Sequence, residues 1–378
     1  MKVICAPDKF KESLTAADAA RAMARGVMRA DAKAEVDLCP IADGGEGTVD
    51  AMLAATNGAP RLTLVRGPLG EPVRAAWGML GTHGGLTRTA VMEMAAASGL
   101  PLVPPGQRDP TRTSTFGTGQ LIRAALDEGA ERIILGIGGS ATNDGGCGMA
   151  AALGVVFADS AGHPISAPTG GDLSSIHAID TTRIDPRIQD TQFIVACDVD
   201  NPLSGPNGAA YIYGPQKGAT PEQVQQLDRG LAHLGALFRS QLNRDVEKMP
   251  GAGAAGGIGG GLVAFLNATL RRGIDLVLDA VEFDRRVRGC TLCLTGEGRL
   301  DGQSLSGKAC LGIAQRAKRH NVPTVALVGS VGANVERTLD AGLSAYHLIG
   351  EGLPLEESIR RAALLLESAT ERVMRSRI

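Results

Sequence analysis

The chain has 378 residues, 44% of them hydrophobic and 21% charged, and its 38 basic and 40 acidic side chains leave a net charge of −2. That length favours two domains over a single core. The charge balance removes any broad electrostatic case for nucleic acid, and no uncharged apolar run reaches membrane-spanning length.

Glycine is about twice its usual share, at 51 residues without a G-X-Y period, and aromatics are only 3%. Many tight loops around an aliphatic core are expected. The opening Met1-Lys-Val-Ile-Cys-Ala-Pro7 is too short an apolar run for a signal peptide. Seven cysteines, an odd number, lie scattered in apolar runs. Cys290 and Cys293 form a C-x-x-C in or beside the strand expected over Thr291–Leu294 and read as small core residues. A reducing, cytoplasmic setting is expected. Nothing in the sequence signals a particular oligomeric state.

In chain order, Val3–Ala6 reads as a buried strand. Thr15 with Asp18 three residues on resembles a capping box, opening a helix through about Ala30. Between Leu62 and Met94, three strand-like runs are separated by Gly67-Pro68-Leu69-Gly70 and by Gly84-Gly85. No room remains there for helices, so antiparallel pairing is predicted. Short apolar runs at Ile133–Leu135 and Phe193–Cys197 read as buried parallel strands. Thr220-Pro221-Glu222-Gln223 combines a cap, a proline at the first helical position and Gln at the third. Behind it Val224, Leu227, Leu231, Leu234 and Phe238 follow a helical stripe. Leu292–Leu294 and Val325–Val328 are further buried strands, and Leu355–Val373 reads as one amphipathic helix.

The class is α/β. Both termini, residues 1–60 and 288–378, are expected to build a Rossmann-like, doubly wound parallel-sheet domain. An inserted α/β domain with antiparallel strands is expected over 61–287, with the active site in the cleft between the two.

Functional groups in such folds gather at the carboxyl ends of strands. Segments of that kind are Pro7–Lys11, Ala42–Thr48, Gly136–Gly146, Asp198–Pro202 and Gly296–Asp301. Most pair glycines with a carboxylate. Glycine lets backbone N–H groups approach phosphate oxygens, while a carboxylate holds magnesium or takes a proton from an attacking hydroxyl. Lys9, Lys11, Lys217 and Lys308 are available to balance phosphate charge. The six histidines are scattered without zinc-ligand spacing, and no G-x-S-x-G elbow occurs.

Two motifs look like other chemistry. Gly302-Gln-Ser-Leu-Ser-Gly307-Lys308-Ala309 is one residue from a P-loop, with Ala309 where the magnesium-binding hydroxyl belongs. A P-loop springs directly from a strand, whereas here the strand is expected to end near Thr295, so the Walker reading is rejected. Gly136-Ile-Gly138-Gly-Ser-Ala141, with Asp159 after Val155–Phe157, fits a dinucleotide fingerprint. The polar run Asn143-Asp144-Gly145-Gly146 falls where a Rossmann helix should already pack. An NAD(P)-dependent dehydrogenase of a small hydroxy acid is kept as the alternative. A nucleotide-binding protein without chemistry is the third class.

Taken in order, "APDKFKESL" from Ala6, "ADGGEGT" from Ala42, "GIGGSATNDGG" from Gly136 and "ACDVDNPL" from Ala196 resemble family I bacterial glycerate kinases. So do "GPQKGA" from Gly214, "PGAGAAGG" from Pro250 and "TGEGRLDGQSLSGK" from Thr295. The resemblance spans nearly the whole chain. It implies ATP-dependent phosphorylation of D-glycerate, with magnesium, in a two-domain α/β enzyme giving 2-phosphoglycerate or 3-phosphoglycerate.

Roles for the residues follow as expectations. Gly138, Gly139, Ser140, Thr142 and Asn143 would cradle the ATP phosphates, with Lys308 at a helix N-terminus nearby. Asp198, Glu297 and Asp301 would hold magnesium. Asp43 or Asp198 would accept the proton of the substrate hydroxyl, with Lys9 in the catalytic set. Asp8, Lys11 and Arg299 would bind the substrate, a cation meeting the glycerate carboxylate.

Overall fold

The computed structural model describes residues 1–42, 47–81, 87–301 and 309–377. The chain begins with β1 (Lys2–Cys5) and β2 (Glu35–Leu38). It continues through β3 (Ala59–Arg66), β4 (Pro72–Met79), β5 (Thr89–Glu93), β6 (Arg132–Gly136), β7 (Val156–Ala158), β8 (Pro164–Ile165), β9 (Ala178–Asp180), β10 (Gln192–Ala196) and β11 (Thr269–Arg271). It closes with β12 (Leu292–Leu300), β13 (Thr324–Val331) and β14 (Ala345–Leu348). Two compact units result: Met1–Gly58 with Arg272–Ile378, and Ala59–Arg271. The second crossing therefore falls at 271/272, ahead of the expected position near 288. The reason is the side-chain chemistry of the helices at Gly273–Ala280 and Phe283–Val287. Arg316, on helix Ala309–Lys318, sits 2.8 Å from Asp279 and 2.5 Å from Asp284, which fastens these helices to the terminal unit.

In the terminal unit the five strands run parallel in the order β14-β13-β12-β1-β2. Alternation along the strands sends Val3, Cys5, Leu292, Leu294, Val325 and Leu327 to one face. There they meet helices Ala16–Ala30 and Ala362–Arg375. Ala326 and Val328 point to the other face and pack with Cys310, Leu311 and Ala314 of helix Ala309–Lys318. Both faces are covered, as a parallel sheet requires. The first helix starts where its cap chemistry places it, with the Asp18 amide donating to Thr15 Oγ1 at 3.1 Å. Buried Glu367 binds that helix to the last one, accepting from Arg25 at 2.6 Å and pairing with Arg29 at 2.9 Å.

Leu355–Val373 is two helices, not one. Leu355–Arg360 buries no residue, Arg361 leaves helical geometry at φ −103°, ψ 9°, and Ala362–Arg375 then buries Leu366, Ala369, Val373 and Met374. The apolar spacing runs on through the break, but only the second segment packs into a core.

The inserted unit holds a six-stranded sheet in the order β11-β10-β6-β5-β4-β3. β3, β4 and β5 pair antiparallel, as expected of the helix-free run, and β5, β6, β10 and β11 pair parallel. β7 pairs antiparallel with β8 and β9 in a separate small sheet. The Thr220 capping box is complete, with Gln223 N donating to Thr220 Oγ1 and Thr220 N to the Gln223 side chain. The stripe from Val224 to Phe238 is buried in the unit's core. Among the described residues no helix is long and apolar enough to cross a membrane.

Candidate functional site

In the terminal unit the carboxyl ends of β1 and β12 are stitched together beyond β1's last residue. Ala6 N donates to Leu294 O at 2.7 Å and Asp8 N to Gly296 O at 2.9 Å. β12 does not stop near Thr295. It continues through Glu297 opposite Val328, Arg299 opposite Ser330 and Leu300 opposite Val331. The segment Gly296–Leu300, expected as a loop, is thus strand, because β13 runs beside it over the same length. Its glycines admit close neighbours: a Cβ on Gly296 would lie 2.2 Å from Leu327 O, and one on Gly298 would lie 3.3 Å from Lys11 N.

This arrangement presents two buried carboxylates, Asp8 at 9% exposure and Glu297 at 6%. Both line a cavity of about 370 Å³ together with Lys9, Lys11 and Arg299. Ile349, Leu355, Ile359 and Ala362 add aliphatic side chains to its lining. Lys9 N donates to Asp8 Oδ1 at 2.6 Å. Arg299 Nε lies 3.3 Å from Asp301 Oδ2, so the residue expected on substrate and one expected on metal form an ion pair.

The longer β12 also overturns one argument used against the P-loop. The strand ends at Leu300, so only Asp301 separates it in sequence from Gly302, and helix Ala309–Lys318 follows Lys308. The remaining objection is chemical: buried Ala309 offers a methyl group where a hydroxyl is needed. Lys308 itself lies outside the described residues, as do Asp43, Gly44, Gly45 and Glu46.

In the inserted unit, residues 137–146 separate β6 from the short helix Cys147–Ala152. Gly138 and Gly139 are exposed, Gly139 with φ +73°. Ser140, Thr142, Asn143 and Asp144 are buried, the last three completely. The Ser140 and Thr142 residues expected to cradle phosphate are thus covered, and the exposed part of the loop is Gly138 and Gly139. Thr142 Oγ1 and both side-chain amide atoms of Asn143 are buried with no protein partner.

Beneath the loop lies a polar network that sequence reasoning missed. Asp144 accepts from Thr115 N at 2.7 Å, Thr115 Oγ1 at 2.8 Å, Gly146 N at 3.1 Å and Gly148 N at 3.2 Å. Burial pushes its pKa up, and those hydrogen bonds oppose the shift. Lys217, expected to balance phosphate, is only 1% exposed and donates from Nζ to Thr142 O at 2.6 Å. Burial lowers its pKa to about 7, against the pull of Asp144. The available signal was Lys217 within "GPQKGA", but nothing local marks a lysine as buried. Asp198 lies two residues beyond β10 and is exposed. Among the described residues no three His, Cys, Asp or Glu side chains gather closely enough to hold a metal ion.

The glycerate kinase family profile matches residues 3–377. A glycerate kinase of Halalkalibacterium halodurans is 48% identical over 372 residues, covering 98% of this chain and 97% of its own. The glycerate 2-kinase of Escherichia coli K12 is 48% identical over 366 residues, covering 96% and 94%. The chain belongs to the glycerate kinase family. The crystal structure of a protein described as glycerate kinase 2 from Salmonella typhimurium LT2 superposes with a TM-score of 0.91 at 44% identity, covering 100% of this chain and 98% of that one.

Within this glycerate kinase family member, the dinucleotide fingerprint fails on geometry. The helix after β6 starts only at Cys147, eleven positions beyond the strand's last residue, and it is six residues long. Asp159 follows β7, outside the main sheet, and accepts from Ala161 N and His163 N in its own turn. The acid that would hold a ribose is thereby occupied in a local turn, and the dehydrogenase alternative is set aside. Cys290 and Cys293 are free and buried, and burial pushes both thiol pKa values up, which disfavours the reactive thiolate.

Proposed function

We propose that this protein transfers the γ-phosphoryl group of ATP to D-glycerate, forming 2-phosphoglycerate. Family membership supports the reaction, and the name of the E. coli relative supports the position. The observation that carries the site is the pair of buried carboxylates, Asp8 and Glu297, lining one cavity with Lys9, Lys11 and Arg299.

Asp8 and Glu297 suit magnesium, a hard cation that takes one or two carboxylates and completes its shell with phosphate oxygens and water. A cluster of three protein acids is not required. Bound there, magnesium would neutralise phosphate charge. Lys11 and Arg299 would hold the glycerate carboxylate, Arg299 with a planar fork matched to it. The exposed backbone of Gly138 and Gly139 would donate to phosphate oxygens. Asp198, exposed at the carboxyl end of a parallel strand, would accept the proton of the attacking hydroxyl. Asp43 stays the alternative base, and Asp301 would tune Arg299 through their ion pair.

The test is ADP formation with ATP, magnesium and D-glycerate, with the product resolved by phosphorus NMR. Glycerate-dependent turnover giving the 2-phosphate is expected. A 3-phosphate would correct the position. No turnover by folded protein would end the reading.

A further inference from the structure

Every carbon of glycerate carries oxygen, so the acid has almost no apolar surface to bury. The cavity that Asp8 and Glu297 line is nevertheless lined by aliphatic side chains too. Its volume of about 370 Å³ lies in the range of pockets that take cofactor-sized ligands, and a three-carbon acid does not fill it. Ile349 and Ala362 line it and are buried. Leu355 and Ile359 line it as well, four residues apart on one face of helix Leu355–Arg360. That helix buries none of its residues, and Leu355 is 73% exposed. Two aliphatic side chains thus look into an open cavity from an element with no core of its own.

We infer that Leu355 and Ile359 form the wall on which the adenine ring of the nucleotide packs, an inference that rests on the kinase reading above. A purine has flat apolar faces and polar edges. Aliphatic side chains suit the faces, and the hydroxyls of Ser330 and Ser358, which line the same cavity, suit the edges or the ribose. From that wall the phosphate chain leads to the polar lining, where Lys9 brings positive charge and Asp8 and Glu297 bring metal-binding oxygens. The aliphatic and the polar lining residues then both have an occupant. A bulkier hydroxy acid with an apolar tail is the competing occupant, and the two ligands separate cleanly by experiment.

The full-length L355S/I359S double variant is titrated calorimetrically with magnesium ADP and with magnesium pyrophosphate, which shares the phosphates but lacks the base. ADP affinity is expected to weaken about tenfold, equivalent to about 1.4 kcal/mol, while pyrophosphate affinity stays within about twofold. KM for ATP should rise in parallel and KM for glycerate should not. Unchanged ADP affinity overturns the inference. Equal losses for ADP and pyrophosphate overturn it too, as does a rise in the glycerate KM alone, which would mark the wall as part of the acid site. Should the double variant melt early, I359W fills the cavity while keeping the helix apolar, and the same split is required of it. Absence of glycerate-dependent turnover by the wild type is a different failure: it ends the kinase reading, while the ADP and pyrophosphate titrations still judge the wall.

Discussion

Replacing Lys217 by Met removes the amine from beneath the glycine loop and keeps the length of its stem. Thr142 O then loses its 2.6 Å donor, and an unpartnered buried acceptor costs about 1–3 kcal/mol. The sharper signature is in the pH dependence. Lys217 titrates at about 7 when folded, lowered from 10.5. Between those values the unfolded chain holds a proton that the folded chain has released. Stability therefore rises with pH across that window, and the gain is lost as pH falls through 7. At about tenfold in the unfolding constant per pH unit, the wild type should gain about 3 kcal/mol from this group between pH 8 and 10. K217M lacks the group, so its deficit against the wild type should widen by that amount. The only tryptophan, Trp77, is buried on β4 in the same unit as Lys217, so its fluorescence in a denaturant titration reports the relevant transition. Parallel stability profiles for the two proteins between pH 8 and 10 would refute the assignment of a neutral buried amine.

E297Q should raise the magnesium concentration for half-maximal turnover by at least roughly tenfold with an unchanged melting temperature; an unmoved magnesium titration removes Glu297 from the metal set. D198N should lower kcat by about 10²–10⁴ in a folded protein, and normal turnover would pass the role of base to Asp43. G256A places a Cβ 1.9 Å from Thr142 O at a residue with φ +81°, and should destabilise the inserted unit by more than about 4 kcal/mol. A fall of only a degree or two in its melting temperature would mean that the loop yields to the added methyl.

Local chemistry was legible in the sequence, and long-range pairing was not. The starts of the helices after Thr15 and Thr220 rest on contacts three residues apart, so composition alone reveals them. The end of β12 depends on β13, more than twenty residues on, and the polar run Gly-Glu-Gly-Arg reads as a loop unless that partner is known. The same holds for the break at Arg361, where periodicity continues but packing does not. The segments of the proposed site were visible as glycine-carboxylate runs. Which of their side chains face a ligand was hidden. Thr142 and Asn143 are covered by residues far along the chain, Lys217 and the Ala255–Gly257 turn among them.

The abundance of glycine takes on a different meaning from the one composition suggests. Gly296 lies within a strand, and Gly256 sits at a kink inside the helix Ala254–Leu266, where Ala255, Gly256 and Gly257 all have positive φ. At both glycines an added Cβ would collide with a backbone oxygen, that of Leu327 or that of Thr142. These glycines permit close approach between segments and thereby fix them. Phosphoryl transfer depends mainly on positioning and electrostatic stabilisation. Donors held before the substrate arrives cost no reorganisation when charge develops. Glu297 is held by the pairing of β12 with β13, and Asp8 by the hydrogen bond its backbone N–H donates to Gly296 O. Both carboxylates are therefore positioned by main-chain hydrogen bonds between neighbouring segments, so their placement depends on the sheet and not on a flexible loop.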